Sequence, residues 1–417
     1  MASLNGAWRL KGTANRRLDP MDCIQSVAGR RFLTQAPRRH PVQAKIAPAI
    51  HLNTSAASHF HPHTARASGT SRRYPITPFR LMPTHFRILG GPRQDNGLYV
   101  EIDTGQSNSR LLFDCGEGIP TAIPYGDVIQ LNHLFLSHCH MDHVTGLSAF
   151  VRRVYASDRQ TPVIWGPLGT AVHVQHQLRA FLWNLTSDAT NVFLVNDVAE
   201  LEVITYELRL SEGYAVLREL SRSPRRDVLL TGDGFDVYAI EMDHGTPSLS
   251  FVVREHTRSN IDTAKLASMG LRPGPWMKQL KSGETSDGTV EVGGTPTSIE
   301  SLREQLLVQT LGVSVAYCTD FLLDDAAESR LVPLLRGVDT LVCESQYRRD
   351  DAALALANRH MTCTQVARLA RQAGVGKLVL IHVSDRYDAA GRREMLAEAR
   401  AEFPFTDFPE SWSVDFW

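Results

Sequence analysis

The sequence predicts an α/β protein in which helices cover β-sheets, and three features predict it. From Met82 onward, short apolar runs alternate with stretches of helical, amphipathic period. The early runs follow one another at hairpin-like spacing, and the later ones alternate with helices as strand–helix–strand units. One stretch, residues 254–297, breaks this rhythm with Pro273-Gly274-Pro275, Gly283, Gly288, Gly293-Gly294 and Pro296, and reads as an arm inserted into the body.

Ahead of that body lies a segment of different character. Residues 1–81 carry 13 Lys and Arg against two acids, Asp19 and Asp22, a balance of +11; the rest of the 417-residue chain stands at −12. The leader's apolar residues follow no sustained period, so it buries too little to offset its ordering entropy and is expected to be disordered. It reads as an organellar transit peptide, as a basic tail that holds nucleic acid, or, most plainly, as sequence ahead of a natural start at Met82. Its His51, His59, His61 and His63 read as polar residues of a flexible stretch and not as a metal site. The expected location is the cytoplasm, or an organelle if the leader is a transit peptide. Six scattered cysteines form no disulfide framework and suit a reducing compartment. No apolar run approaches the ~18 residues of a membrane-spanning helix, so no membrane partner is expected.

Within the body the expected strands are 85–90, 98–103, 110–114, 133–137, 162–165, 192–195, 201–210, 235–242, 248–253, 313–318, 339–343 and 377–382. Helices are expected at 144–157, 170–184, 298–310, 364–373 and 391–402. The helix at 364–373 has the capping box Thr362-Cys-Thr-Gln365 ahead of it and stops at Gly374. There is no internal repeat.

The most informative segment is Leu134-Phe-Leu-Ser-His138-Cys-His140-Met-Asp142-His143. A buried strand runs straight into four metal-ligand side chains within six positions. Side chains of an extended chain alternate, so His138 and His140 point the same way and can share one ion, while Cys139 points away. Asp142 and His143 follow where the chain turns into a helix, and can reach a second ion. Neutral imidazole and carboxylate are ligands that zinc accepts. Three later apolar strands also end on ligand types: His244 before Gly245, Asp320 after Val313–Thr319, and His382 after Lys377–Ile381. A lone strand-end His or Asp is more often a turn former. Three of them beside an HxHxDH run point to a metal centre.

The set His138, His140, Asp142, His143, His244, Asp320 and His382 resembles the metallo-β-lactamase superfamily over roughly residues 84–400. That resemblance implies an αββα sandwich with two zinc ions, manganese or iron being the alternatives. His138, His140 and His244 would hold one ion, Asp142, His143 and His382 the other, and Asp320 would bridge them. Further elements resemble the ribonuclease Z branch, which cuts the 3′ trailer from precursor tRNA. Asp142 would accept a proton from the attacking water. Val342-Cys343-Glu344-Ser345 is similar to the family's His-Glu-Ala-Thr strand end, and His360-Met361-Thr362 to its second His-x-Thr element. His360, oriented by Glu344, would donate a proton to the leaving oxygen. His382-Val-Ser384-Asp-Arg386-Tyr387 matches a run whose polar groups contact phosphate. Gly274 and Pro275 look like the Gly-Pro of the arm that clamps tRNA, and Asn96 like the Asn of an RNA-facing loop.

Departures accompany the matches. The loop Gly91-Pro-Arg-Gln-Asp-Asn96 keeps only the Pro, the Asn and one base of the family pattern, and only Glu344 survives of the His-Glu-Ala-Thr signature. Residues 254–300 hold six bases and six acids, so the arm is neutral, and the body is acidic, whereas RNA-binding surfaces are normally basic. Arg222, Arg225 and Arg226 offer a local basic rim or a merely solvated loop. The alternative for Ser384 and Arg386 is to cap the next helix, and for His360 and the Gly-Pro segment to be ordinary loop residues. The function expected is a zinc-dependent phosphodiesterase of ribonuclease Z type. Its alternatives are a hydrolase of a small phosphodiester such as a cyclic nucleotide, and a metal-bearing binding subunit without activity. The oligomeric state is left open between monomer and homodimer.

Overall fold

Alternating burial along the strands builds two sheets that share one core. The computed structural model describes residues 84–157, 159, 161–281 and 288–412; the leader and its histidines lie outside them. Strands β1 (Thr84–Leu89), β2 (Gly97–Asp103) and β3 (Asn108–Phe113) form an antiparallel meander. The chain then crosses over to β4 (His133–Phe135), β5 (Val163–Pro167) and β6 (Val192–Val198), each parallel to the strand before it. Antiparallel β7 (Glu202–Arg209) and β8 (Arg218–Pro224) complete a sheet whose spatial order is the chain order.

The second sheet opens antiparallel with β9 (Val228–Gly232), β10 (Phe235–Asp243) and β11 (Pro247–Glu255). The chain then leaves it for a lobe with β12 (Arg258–Ile261), β13 (Thr289–Val292), β14 (Thr295–Ser298) and β15 (Leu307–Thr310). It returns as β16 (Ser314–Cys318) beside β11, followed by parallel β17 (Thr340–Glu344), β18 (Lys377–Ile381) and β19 (Thr406–Asp407).

Period two decides which core each residue enters. On β18, Val379 and Ile381 face the first sheet, where they meet Leu98, Val100, Phe113 and Phe135. Leu378 and Leu380 face outward, under the helices Asp325–Leu335, Cys363–Ala373 and Ala389–Glu402. On the first sheet, Tyr99, Leu112 and Leu134 face the helices Leu147–Val154 and Thr170–Arg179. The result is the αββα sandwich. The capping box at Thr362 and Gln365 is formed, and Gly374 closes that helix in the left-handed conformation.

Several elements differ from expectation. The strand expected at 133–137 stops at Phe135, because the Ser137 N–H is taken by Asp114 instead of a neighbouring strand. The helix expected at 144–157 is two pieces, Met141–Val144 and Leu147–Val154. The helix expected at 298–310 ends at Leu306, and its remainder is β15, paired with β12. The sequence reading has no counterpart for β8, β9 or the helix Asp325–Leu335. Almost all of β8 is solvent-exposed on a sheet edge, so it has no buried face to create alternation. Pro333 masks the helix, although Asp324 caps its start through the Ala327 N–H.

The inserted lobe has its own small core of Leu266, Trp276, Leu280, Val290, Ile299 and Leu302, above the antiparallel stem of β12 and β15. Arg258, at the foot of the stem, pairs with buried Glu255 at 2.5 Å and donates to the Asp103 carbonyl at 3.0 Å. Of the expected basic rim Arg226 is exposed, while the other two arginines are tied to neighbours. Arg222 is held by Glu219 and Glu202, and Arg225 donates to the carbonyls of Ala199 and Ala239.

Candidate metal and catalytic site

Residues just beyond β3, β4, β10, β16 and β18, with Glu344 at the end of β17, converge at one end of the sandwich, where ligand-type side chains from both sheets meet. At three strand ends the backbone turns left-handed, at Asp114 (φ 59°), Asp320 (φ 50°) and His382 (φ 53°). Such a turn disfavours any residue with a Cβ by roughly 1–2 kcal/mol. It also stops the strand at once and turns the side chain off the sheet.

Two groups of ligand atoms result. His138, His140 and His244 bring theirs within 4.8 Å of one another, and so do Asp142, His143, Asp320 and His382. Asp320 lies between the groups. Its Oδ2 is 3.9 Å from Nε2 of both His138 and His244 and 3.4 Å from Nε2 of His143, and its Oδ1 is 3.5 Å from Nδ1 of His382. The close approach of the segment that carries Asp142 to the Asp114–Gly118 turn requires glycine, since a Cβ on Gly116 would sit 2.1 Å from the Asp142 carbonyl oxygen.

Outer hydrogen bonds set the ring orientations. His143 Nδ1 lies 2.7 Å from Asp114 Oδ2, and His244 Nδ1 donates to the Arg359 carbonyl at 2.9 Å, so both rings turn Nε2 toward the site. Burial and the neighbouring His143 push His138 down to about 2, so it stays neutral. Burial also opposes charge on His143 and His382, but Asp114 and Asp320 outweigh it at His143, and Asp320 and Asp142 at His382; both stand well above the ordinary imidazole value. Burial would raise Asp320, yet His382 and His143 hold it well below the usual carboxylate range. Two ring nitrogens within this cluster, His143 Nε2 and His382 Nδ1, are buried without a hydrogen-bond partner. Orphaned buried imidazole nitrogens facing carboxylates fit a divalent cation.

Glu344, fully buried at the end of β17, has Oε2 2.7 Å from His360 Nδ1. Burial lowers the His360 pKa, but the hydrogen bond and charge of Glu344 prevail and raise it. The His360 ring sits between those of His244 and His382, with centroids at 4.8 and 5.7 Å. Asp320, Glu344, His360 and His382 also form a third group of mutually close ligand atoms.

Asp114 is absent from the sequence reading and central to the site. It is fully buried and accepts the Ser137 N–H at 2.7 Å, the Ser137 hydroxyl at 2.8 Å and the Tyr317 hydroxyl at 3.0 Å, besides its contact with His143. The signal was available: it is a carboxylate just beyond an apolar strand, like Asp320. Asp114→Ala orphans this network and is expected to lower unfolding stability by about 3–5 kcal/mol. Urea unfolding checks it, and a loss below ~1 kcal/mol would show that Asp114 does not organise the site.

Two residues expected to touch substrate are placed otherwise. Asn96 is buried, with its amide bonded to the His382 N–H and the Gly91 carbonyl. Tyr387 is buried too; its hydroxyl donates to Asp351 and accepts the Arg348 N–H. Both side chains are spent inside the protein. Ser384 does line an open cavity of about 330 Å³ beside Asp142 and His382, together with Arg93, Asp95 and Gln346. Half-exposed Arg386 stacks over Tyr347, its guanidinium carbon 5.3 Å from the ring centroid. Gly274 and Pro275 lie in the lobe, ahead of its helix Trp276–Lys281, and take no part in the histidine–aspartate cluster.

Comparison with known proteins completes the description. A family model described as the anti-Pycsar protein Apyc1 matches residues 100–215. A ribonuclease Z of Deinococcus radiodurans is 40% identical over 325 residues, 78% of this chain and 97% of that protein. A ribonuclease Z of Synechococcus sp. (strain CC9605) is 30% identical over 320 residues, 75% of this chain and 90% of its own. Among solved structures, the metallo-β-lactamase fold protein YhfI of Bacillus subtilis aligns at 15% identity with a TM-score of 0.46, over 78% of this chain and 95% of that one.

Proposed function

The chain belongs to the ribonuclease Z family and is a metal-dependent hydrolase, and from that premise we propose that it is a zinc-dependent endoribonuclease that releases the 3′ trailer of precursor tRNA. The observation that carries this reading is the pair of ligand groups meeting at Asp320, with the His360–Glu344 pair against them. His138, His140 and His244 would hold one ion, and Asp142, His143 and His382 the other. When bound, two such ions supply positive charge that stabilises the attacking and leaving oxygens of an in-line displacement at phosphorus.

The chain's own groups supply the rest. Asp142 is partly exposed, with Oδ2 between His143 Nε2 at 3.2 Å and His382 Nε2 at 3.0 Å. In this reading it takes a proton from the attacking water. His360, whose protonated form Glu344 favours, gives its proton to the departing 3′ oxygen. The RNA would lie across the open cavity beside Asp142, with Ser384 and Arg93 of its lining toward the phosphates; Arg386 and the lobe carrying Gly274 and Pro275 would make further contacts.

One observation favours a smaller diester as a second reading. Asp95 lines the cavity beside Asp142 and adds a second carboxylate where RNA would enter. Comparing kcat/KM for a precursor tRNA bearing a 3′ trailer with that for a cyclic mononucleotide separates the two. A higher value for the cyclic nucleotide would overturn the tRNA assignment.

Metal binding should also depend on pH in a defined direction. His143 and His382 hold protons above the ordinary imidazole range and must release them to a cation. Zinc affinity should therefore rise with pH until those raised values are passed, by about tenfold per pH unit for each proton released. Titration against a competing chelator between about pH 6 and about pH 8 checks this. An affinity independent of pH would contradict it.

A further inference from the structure

Asn96 stands in the loop expected to face RNA, yet its side chain is only 3% exposed and reaches the other half of the molecule. Its Oδ1 accepts the backbone N–H of His382 at 2.9 Å across 286 residues, and its Nδ2 donates to the Gly91 carbonyl at 3.1 Å. Its own carbonyl accepts the Tyr317 hydroxyl at 3.4 Å, and the same hydroxyl lies 3.0 Å from Asp114.

His382 is the first residue beyond β18, and its amide leaves the strand ladder as the backbone turns left-handed, at φ 53°. A buried N–H needs a partner, and a left-handed residue with a Cβ needs surroundings that hold it there. The Asn96 amide supplies both. Without it the backbone is free to relax toward the extended conformation. The imidazole would then leave its place 3.0 Å from Asp142 and 3.5 Å from Asp320.

We propose that Asn96 is a positioning residue for one metal position: its amide holds the His382 backbone so that the imidazole meets Asp142 and Asp320. The proposal rests on the two-ion reading above. Asn96 thereby also ties the Gly91–Asp95 loop, a wall of the cavity beside Asp142, to a candidate metal ligand.

The test uses the full chain as wild type, Asn96→Ala and Asn96→Asp. Zinc per chain is measured by elemental analysis after dialysis against a weak chelator, and kcat and KM are measured separately on a trailer-bearing precursor tRNA. Asn96→Ala is expected to keep about one of two zinc equivalents and to lose about 10–100-fold in kcat, with KM little changed. Asn96→Asp retains the acceptor oxygen and should keep both ions. Wild-type zinc content in Asn96→Ala with a raised KM would make Asn96 an RNA contact and overturn the proposal. If Asn96→Ala does not fold, Asn96→Asp decides: both ions with a wild-type KM support the role, and both ions with a raised KM overturn it. If neither folds, Asn96 serves the whole fold and the proposal falls. A wild type that binds one ion, or leaves RNA uncut, overturns the parent reading and this one with it; a two-ion, RNA-cutting wild type beside a zinc-replete Asn96→Ala overturns this one alone.

Discussion

Asp320→Ala is expected to lose most of the bound metal, about two equivalents per chain in the wild type, since seven ligands exceed what one tetrahedral ion takes. Asp320 is the carboxylate that reaches imidazoles of both groups, with oxygens 3.4–3.9 Å from His138, His143, His244 and His382. Alanine removes that bridge and leaves five imidazoles and Asp142 around a site with less negative charge to balance two cations. Neither half is then complete. Asp320→Asn keeps the side-chain volume and removes the charge, so it separates loss of the ligand from loss of packing. Elemental analysis reads both variants. Full occupancy in Asp320→Ala would show that the two groups do not share this residue.

The second large effect belongs to His360. Its Nδ1 is engaged by Glu344 at 2.7 Å, its pKa is raised, and its ring faces the site between His244 and His382. In the two-ion reading proposed above, seven other side chains would serve the ion positions, which would leave this imidazole free to protonate the leaving 3′ oxygen. Loss of a positioned general acid typically costs about 10²–10⁴ in rate. His360→Ala should therefore lower turnover by that order with zinc at wild-type stoichiometry. The alternative is specific, because Asp320, Glu344, His360 and His382 are also close enough to hold an ion themselves. In that case His360→Ala would drop a metal ion. A variant that does so, or that cleaves at an unchanged rate, refutes the proton-donor role. Glu344→Gln offers a companion measurement: it keeps an acceptor for Nδ1 and removes the charge that raises the His360 pKa, so the basic limb of the pH–rate profile should move to lower pH.

Much of this site is legible in one dimension because its ligands occur where apolar strands stop. His138, His140, Asp142 and His143 lie within six residues, so local geometry alone relates them. His244, Asp320 and His382 are each a polar residue just beyond an apolar run, and the structure brings all seven together. Asp114 obeys the same rule and was still passed over, because a buried acceptor of hydrogen bonds looks in sequence like any strand-end carboxylate. The edge strand β8 was illegible for the opposite reason: a strand without a buried face has no period to read.

What the sequence by itself determined is the order of most core strands and helices, the presence of an inserted lobe, and the residue types available for metal and proton transfer. These follow from period, capping and spacing, which act over a few residues. Only the tertiary structure decided where individual side chains are spent. Asn96 and Tyr387 carry polar groups suited to an RNA surface, but packing buries both and satisfies them on His382, Gly91, Arg348 and Asp351. Arg359 supplies a carbonyl to His244 across 115 residues, and Asn96 an amide oxygen to His382 across 286. Those partners are chosen by how two sheets pack and by left-handed turns at the strand ends. Both are settled by the burial of the shared core, which no local stretch of the chain contains.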